Sequence, residues 1–116
     1  MAKLMPVRNR AGEQYGWAHW CPGCRHAHIF HTVKFGSGPC WDFDGNLERP
    51  TFSPSMREYW PARRDAAGNI TQPERTMCHY FLKNGEIEFL GDSTEHELRG
   101  KHPLPDFPNS DQYRLG

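Results

Sequence analysis

The sequence predicts a mainly β fold, a small zinc-stabilised antiparallel sheet or sandwich built from hairpins, on three observations. Turn signals recur along the chain while helical periodicity is nearly absent. Asn84-Gly85 divides two apolar runs in the manner of a two-residue type I′ hairpin turn. Cys21-Pro22-Gly23-Cys24 sets two thiols two residues apart on a Pro-Gly turn, a spacing that lets both sulfurs reach one metal ion. The 116 residues suit one domain over 1–116, with extended tails at 1–12 and 109–116. A chain this short buries a smaller share of its surface than a long one, so a metal cross-link would matter to its stability.

Taken in order, Glu13 to Trp20 alternates as a strand running into the Cys21–Cys24 knuckle, and His26 to Phe35 is a second strand stopped by Gly36-Ser37-Gly38-Pro39. In that second strand Ala27, Ile29, His31, Val33 and Phe35 share one face, and His26, His28, Phe30 and Thr32 the other. Cys40 to Phe43 is a short third strand, Asp44-Gly45-Asn46 a tight turn, and Thr51 to Trp60 an extended segment in which Pro54 marks an edge or a bulge. Pro61 to Arg75 reads as a long surface loop.

The Thr76 to Leu90 hairpin fixes its own register. A two-residue turn pairs Lys83 with Glu86, Leu82 with Ile87, Phe81 with Glu88, Tyr80 with Phe89, His79 with Leu90 and Cys78 with Gly91. Cys78 then faces the core with Tyr80, Leu82, Ile87 and Phe89, and His79 faces the other way unless the strand twists or bulges. Asp92-Ser93-Thr94-Glu95 has the form of a capping box, predicting one short helix through His96, Leu98 and Arg99 that Gly100 closes. The proline-rich tail beyond it is extended.

A C-x-x-C pair can also be a redox dithiol, but that reading needs a βαβ pattern with a helix opening at the first cysteine, and neither is present. Zn²⁺ is the expected cofactor. Cys21 and Cys24 supply two ligands, and Cys78, isolated on a core-facing strand position, is the third. For the fourth, His28 and His79 rank together: His28 closes a short loop and His79 adjoins Cys78, with His26, Cys40 and His96 behind them. No nucleophile elbow, phosphate-binding glycine loop or Ser/His/Asp order stands out. Asp42 and Asp44 could form an acid/base pair, although flanking a turn accounts for them more simply.

Charge and hydropathy narrow the function classes. Lys plus Arg equals Asp plus Glu at 14 each, so no general excess of positive charge argues for nucleic acid or an anionic membrane. Mean hydropathy is −0.85 and no apolar run approaches the roughly 18 residues of a spanning helix, so no membrane association is expected. The first residues are too short and polar a stretch for a signal peptide, which sets the expectation of a cytoplasmic protein with reduced thiols.

The segments Trp17 to Cys24, Trp41 to Ser55, Cys78-His79-Tyr80-Phe81, Gly85 to Asp92 and Leu104 to Pro108 together resemble a family of small phage and prophage proteins. Members often carry the inherited label "ammonia monooxygenase", and related domains accompany bacterial ubiquitin-like conjugation genes. The label names a copper enzyme of the membrane, and this chain has no segment able to cross one. What the resemblance implies is a set of metal positions at Cys21, Cys24, Cys78 and His79, with His28 also at a matching place. It departs at Ser93, where relatives often have cysteine.

Two functional classes follow as expectations. The favoured one is a non-enzymatic zinc-stabilised module of a phage or prophage, acting on a host or phage protein partner and interfering with a host process. The alternative is a zinc-dependent hydrolase with three protein ligands and an open coordination position, in which His79 or Glu88 would act as general base.

Overall fold

The computed structural model describes residues 2–34 and 38–108. Strands β1 (Leu4–Arg8), β2 (Gln14–Cys21) and β3 (His26–His31) form one antiparallel sheet in that order. The second sheet contains β4 (Asp42–Phe43), β5 (Phe52–Trp60), β8 (Arg75–Lys83), β9 (Glu86–Phe89) and β10 (Gly100–Pro103), ordered β10-β9-β8-β5-β4. Between β5 and β8, β6 (Arg63–Arg64) and β7 (Ile70–Gln72) pair as an exposed hairpin where a loop was expected. Asp65 and Asn69 close it through backbone bonds around Gly68, whose φ of 87° suits glycine.

The two larger sheets bury a shared core. Leu4, Cys21 and Phe30 from the first sheet meet Phe52, Met56, Cys78, Tyr80, Leu82, Ile87 and Phe89 from the second, and Leu104 joins them. Phe30, Phe52 and Phe43 stack in series, with ring centroids 4.2 Å and 4.6 Å apart, each such pair adding about 0.5–1.5 kcal/mol beyond its buried area. Strand parity gives the first sheet a second covered face, where Val7 and Ala18 pack with Phe107 from the C-terminal segment. Of the expected tails, the first contains β1 at residues 4–8, and 109–116 lie outside the described residues; Phe107, in the proline-rich segment before the second, is 5% exposed.

The β8–β9 hairpin has the expected register, with Tyr80 opposite Phe89, Phe81 opposite Glu88, Leu82 opposite Ile87 and Lys83 opposite Glu86. Asn84 and Gly85 adopt φ of 51° and 75°, the positive values a type I′ turn needs. The turn is further held by the Gly85 N–H on the Pro50 carbonyl at 3.0 Å and the Asn84 N–H on Thr51 Oγ1 at 2.9 Å.

The expected C-terminal helix does not form among the described residues, and hydrogen bonding supplies the reason. The Thr94 and Glu95 amides both donate to the Met77 carbonyl at 3.0 Å, and Thr94 Oγ1 donates to the Thr76 carbonyl at 2.7 Å. Ser93 Oγ accepts from the His79 amide at 3.0 Å. The groups that would have capped a helix are bound to β8 instead, and Gly100, with φ of 74°, opens β10 rather than ending a helix. The second strand stops at His31, short of the expected Phe35, and Phe35 to Ser37 lie outside the described residues.

A candidate metal centre and a candidate catalytic triad

Strand β8 carries two adjacent side chains into two different environments. Cys78 points between the sheets and His79 points to the outer face, the alternation expected of consecutive strand residues.

On the inner side, Cys21, Cys24, Cys78 and His96 bring their ligand atoms within 4.8 Å of one another. The Cys21 and Cys78 sulfurs are 4.0 Å apart, and Cys78 Sγ is 3.3 Å from His96 Nε2. Tetrahedral thiolates at a Zn–S distance of about 2.3 Å would stand about 3.8 Å apart, so the spacing fits zinc with little adjustment. The knuckle is preformed: the Cys24 amide donates to Cys21 Sγ at 3.3 Å, the Arg25 amide to the Cys21 carbonyl at 2.8 Å, and Arg25 takes a φ of 61°. Gly23 lies against the His96 imidazole so closely that a Cβ there would overlap the ring. Crowding four donors this way shifts the thiols apart electrostatically. Hydrogen bonds from Cys24 and Cys78 pull the Cys21 pKa strongly down, and the same contacts with Cys21 and Cys24 push that of Cys78 strongly up. A cation placed among them would remove that conflict.

His28, expected as a fourth ligand, belongs with Cys24 and His26 in a second, overlapping group of donors. It is 3% exposed, its Nδ1 is 3.3 Å from Glu58 Oε1, and its Nε2 is buried without a hydrogen-bond partner. Burial pulls its pKa down, but the Cys21 and Cys24 sulfurs and the Glu58 carboxylate more than offset this and raise it to about 11. An imidazolium there would balance thiolate charge. His79, the other expected ligand, is not in either group. Cys40, ranked among the lesser fourth-ligand candidates, is exposed and in neither group, and Asp44 is a turn residue whose Oδ1 accepts from the amides of Asn46 and Thr51.

On the outer side, His79 Nε2 lies 3.2 Å from Ser55 Oγ. Its Nδ1 lies 3.1 Å and 3.0 Å from the two Asp92 oxygens. This is the geometry of a nucleophile, a base and an orienting carboxylate. Each member is placed by a distinct device. Between Phe52 opposite Leu82 and Met56 opposite Tyr80, three residues of β5 face one of β8, so the bulge Ser53-Pro54-Ser55 lifts Ser55 towards His79. Trp41 Nε1 donates to the Ser55 carbonyl at 3.1 Å, fixing the far side of the bulge. His79 is held through its main chain, its amide on Ser93 Oγ and its carbonyl accepting from the Leu90 amide at 2.9 Å. The hydrogen bond from His79 keeps the Asp92 carboxyl below its ordinary pKa, against a small opposing effect of burial. The order Ser55, His79, Asp92 differs from the His-Asp-Ser, Asp-His-Ser and Ser-Asp-His orders of familiar hydrolases, which share the geometry and not the sequence order.

Sequence reasoning missed Ser55 and Asp92 and ranked His96 last among the ligands. Ser55 and His79 are 24 residues apart and His79 and Asp92 are 13 apart, and no spacing rule joins them. The usable signal was Pro54 as a bulge marker next to Ser55, together with the outward parity of His79.

Among the described residues, no helix is long and apolar enough to cross a membrane. A family model described as "Bacterial ubiquitination-like system serine protease (BubE)" matches residues 2–90. That range includes Ser55, His79 and three of the clustered cysteines, and it ends just before Asp92 and His96. No curated protein and no solved structure matches the chain.

Proposed function

We propose a function from the premise that this chain belongs to the family described as bacterial ubiquitination-like system serine protease (BubE). It is a serine hydrolase that cuts a peptide bond in a protein component of such a system. Ser55 is the nucleophile, His79 the general base and Asp92 the group that orients the imidazole. The observation that supports it is the hydrogen-bonded series Ser55 Oγ, His79 Nε2, His79 Nδ1, Asp92 carboxylate, with every separation between 3.0 and 3.2 Å. Three side chains from separate segments meet in an arrangement that suits the family's description as a serine protease.

The chemistry follows from those positions. Ser55 Oγ attacks the scissile carbonyl carbon as its proton passes to His79 Nε2. Collapse of the tetrahedral species breaks the C–N bond, the proton moves from His79 to the departing amine, and the acyl group remains on Ser55 as an ester. Water, giving its proton to His79, then attacks the ester; as the C–Oγ bond breaks, His79 returns that proton to Ser55 Oγ, which releases the acid and restores Ser55. Asp92 accepts a hydrogen bond from His79 Nδ1 throughout, which fixes the tautomer and stabilises the imidazolium when it forms.

Zinc fits this reading as a structural ion. Cys21, Cys24, Cys78 and His96 would hold it, and four protein donors leave no position for an activated water. Its chemistry when bound is cross-linking of the β2–β3 knuckle to β8 and to the segment after β9. The metal-hydrolase alternative is left without either expected base on the metal side, because His79 faces Ser55 on the opposite side of β8 and Glu88, paired with Phe81 and Lys101, has the outward parity between core-facing Ile87 and Phe89. The hydrolase reading is taken over the expectation of a non-enzymatic module because the family is described as a serine protease and Ser55 stands at hydrogen-bond distance from the carboxylate-bound His79. The protein partner expected from sequence becomes the substrate. Reaction with a fluorophosphonate reagent tests the proposal: stoichiometric labelling of Ser55, lost in Ser55→Ala and His79→Ala, is the expected result. A folded wild-type protein that remains unlabelled would overturn it.

A further inference from the structure

The Cys/His cluster and the triad are joined at both ends of one catalytic hydrogen bond. His79 follows Cys78 directly on β8, and Asp92 precedes His96 by four residues on the 91–99 segment. Cys78 Sγ and His96 Nε2 are 3.3 Å apart. Any ion bound by both would tie the strand that carries the base to the segment that carries the carboxylate.

That segment needs such a tie. It contains neither strand nor helix, and Gly91, Asp92, Thr94, Glu95, Glu97 and Arg99 are all exposed. Its ion pair to β8, Arg75 with Glu95 at 3.1 Å, has both side chains well exposed, and such pairs contribute little. The bonds to the β8 main chain run from the exposed Thr94 and Glu95 to the half-buried Thr76 and Met77 carbonyls. The inward anchors are Ser93, Leu98 and His96. The His96 ring sits edge-on to Phe89 at a centroid distance of 4.5 Å and against Gly23, which aims Nε2 at the sulfurs. Its Nδ1 accepts from the Leu98 amide at 3.2 Å; ligation through Nε2 would move the ring proton to Nδ1 and exchange that bond for one that Nδ1–H donates.

We infer that metal binding by Cys21, Cys24, Cys78 and His96 positions the triad, the Cys78–metal–His96 link holding Asp92 at hydrogen-bond distance from His79. This rests on the hydrolase reading above and makes His96 a positioning residue for a reaction it does not touch. The ion cross-links rather than activates, so zinc, cobalt and cadmium should serve alike. Losing His96 alone should leave three thiolates and a water to retain the ion while freeing the segment that bears Asp92.

The test uses the full chain loaded with zinc and compares wild type with His96→Ala and His96→Cys. Three quantities are read: metal content, the low-field proton resonance of His79 Nδ1–H bonded to Asp92, and the rate of fluorophosphonate reaction at Ser55. The expected result is that His96→Ala retains metal, loses the low-field proton and reacts about 100-fold more slowly, as an error of about 1 Å in catalytic placement would cause. His96→Cys should restore both signals. A His96→Ala protein that keeps metal, the low-field proton and a reaction rate within about twofold of wild type would overturn the inference. If His96→Ala does not fold, graded chelation of the wild type decides. The low-field proton and the Thr94 and Glu95 amide protection should vanish before global unfolding, and loss only together with it would overturn the clamp. A wild type inert to the reagent would sink the hydrolase reading instead, leaving the low-field proton, which needs no nucleophile, to judge the clamp by itself.

Discussion

The inner and outer faces of β8 carry the same density of chemistry, but only the inner one could be read from sequence. Cys78 and His79 are neighbours, yet one belongs to a site announced by a four-residue motif and the other to a site assembled from three remote segments. A metal knuckle writes its geometry locally, because two ligands must share one tight turn. A Ser-His-Asp arrangement constrains only side-chain ends, and the fold may bring these from anywhere. The lesson is that absence of a recognisable catalytic order says little about catalysis in a β protein, where strand pairing routinely joins distant residues.

Substitutions that separate the two faces should have the largest effects. Ser55→Ala is expected to abolish hydrolysis, by at least about 10⁴-fold in kcat/KM, while leaving metal content and thermal unfolding unchanged. Asp92→Asn should approach the same loss, since the amide holds the wrong tautomer of His79. Steady-state kinetics beside calorimetry would check both, and a fall in Tm matching the fall in rate would blur the division between the faces.

Damage to the inner face should appear in stability first. Chelation, or Cys78→Ser, is expected to cost about 3 kcal/mol or more, which at this chain length is a drop in Tm of roughly 10 °C or more. Differential scanning calorimetry with metal analysis reads this directly. An unchanged Tm in a demonstrably metal-free protein would mean that the β sheets stand without the cross-link.

Smaller effects sharpen the contrast further. Ser93→Ala leaves the His79 amide without its acceptor and should cost about 1 kcal/mol in urea unfolding, with a modest fall in kcat. The smallest effect concerns acid. Because the Asp92 pKa is lowered by folding, its contribution to stability is present above the unfolded carboxylate value of about 4 and is lost as pH falls through the folded value. Asp92 is half exposed, so urea midpoints measured against pH should show only a slight acid-side slope, and Asp92→Asn should remove it.

Much of the fold was legible for a physical reason. Period-two alternation and Asn84-Gly85 fix pairing locally, and the β8–β9 register followed from Lys83–Glu86 to Tyr80–Phe89. The 92–99 segment was misread because a capping box is a local signal. Ser93, Thr94 and Glu95 found partners on β8 that outcompeted the helix they would have begun. His96 was underrated as a ligand for the related reason that its reach towards Cys78 depends on that non-helical path and on the space above Gly23. The β1 strand was missed because Pro6 within it argues against pairing. It is tolerated in an outer strand, with only β2 as neighbour.

The bond from the Trp41 indole to the carbonyl of Ser55 gives the molecule an optical handle on its own chemistry. An indole whose N–H is tied to the main chain of a nucleophile senses any shift of that bulge in its emission. With Trp17, Trp20 and Trp60 replaced by phenylalanine, Trp41 fluorescence would follow acylation and release at Ser55 in real time, without a labelled substrate.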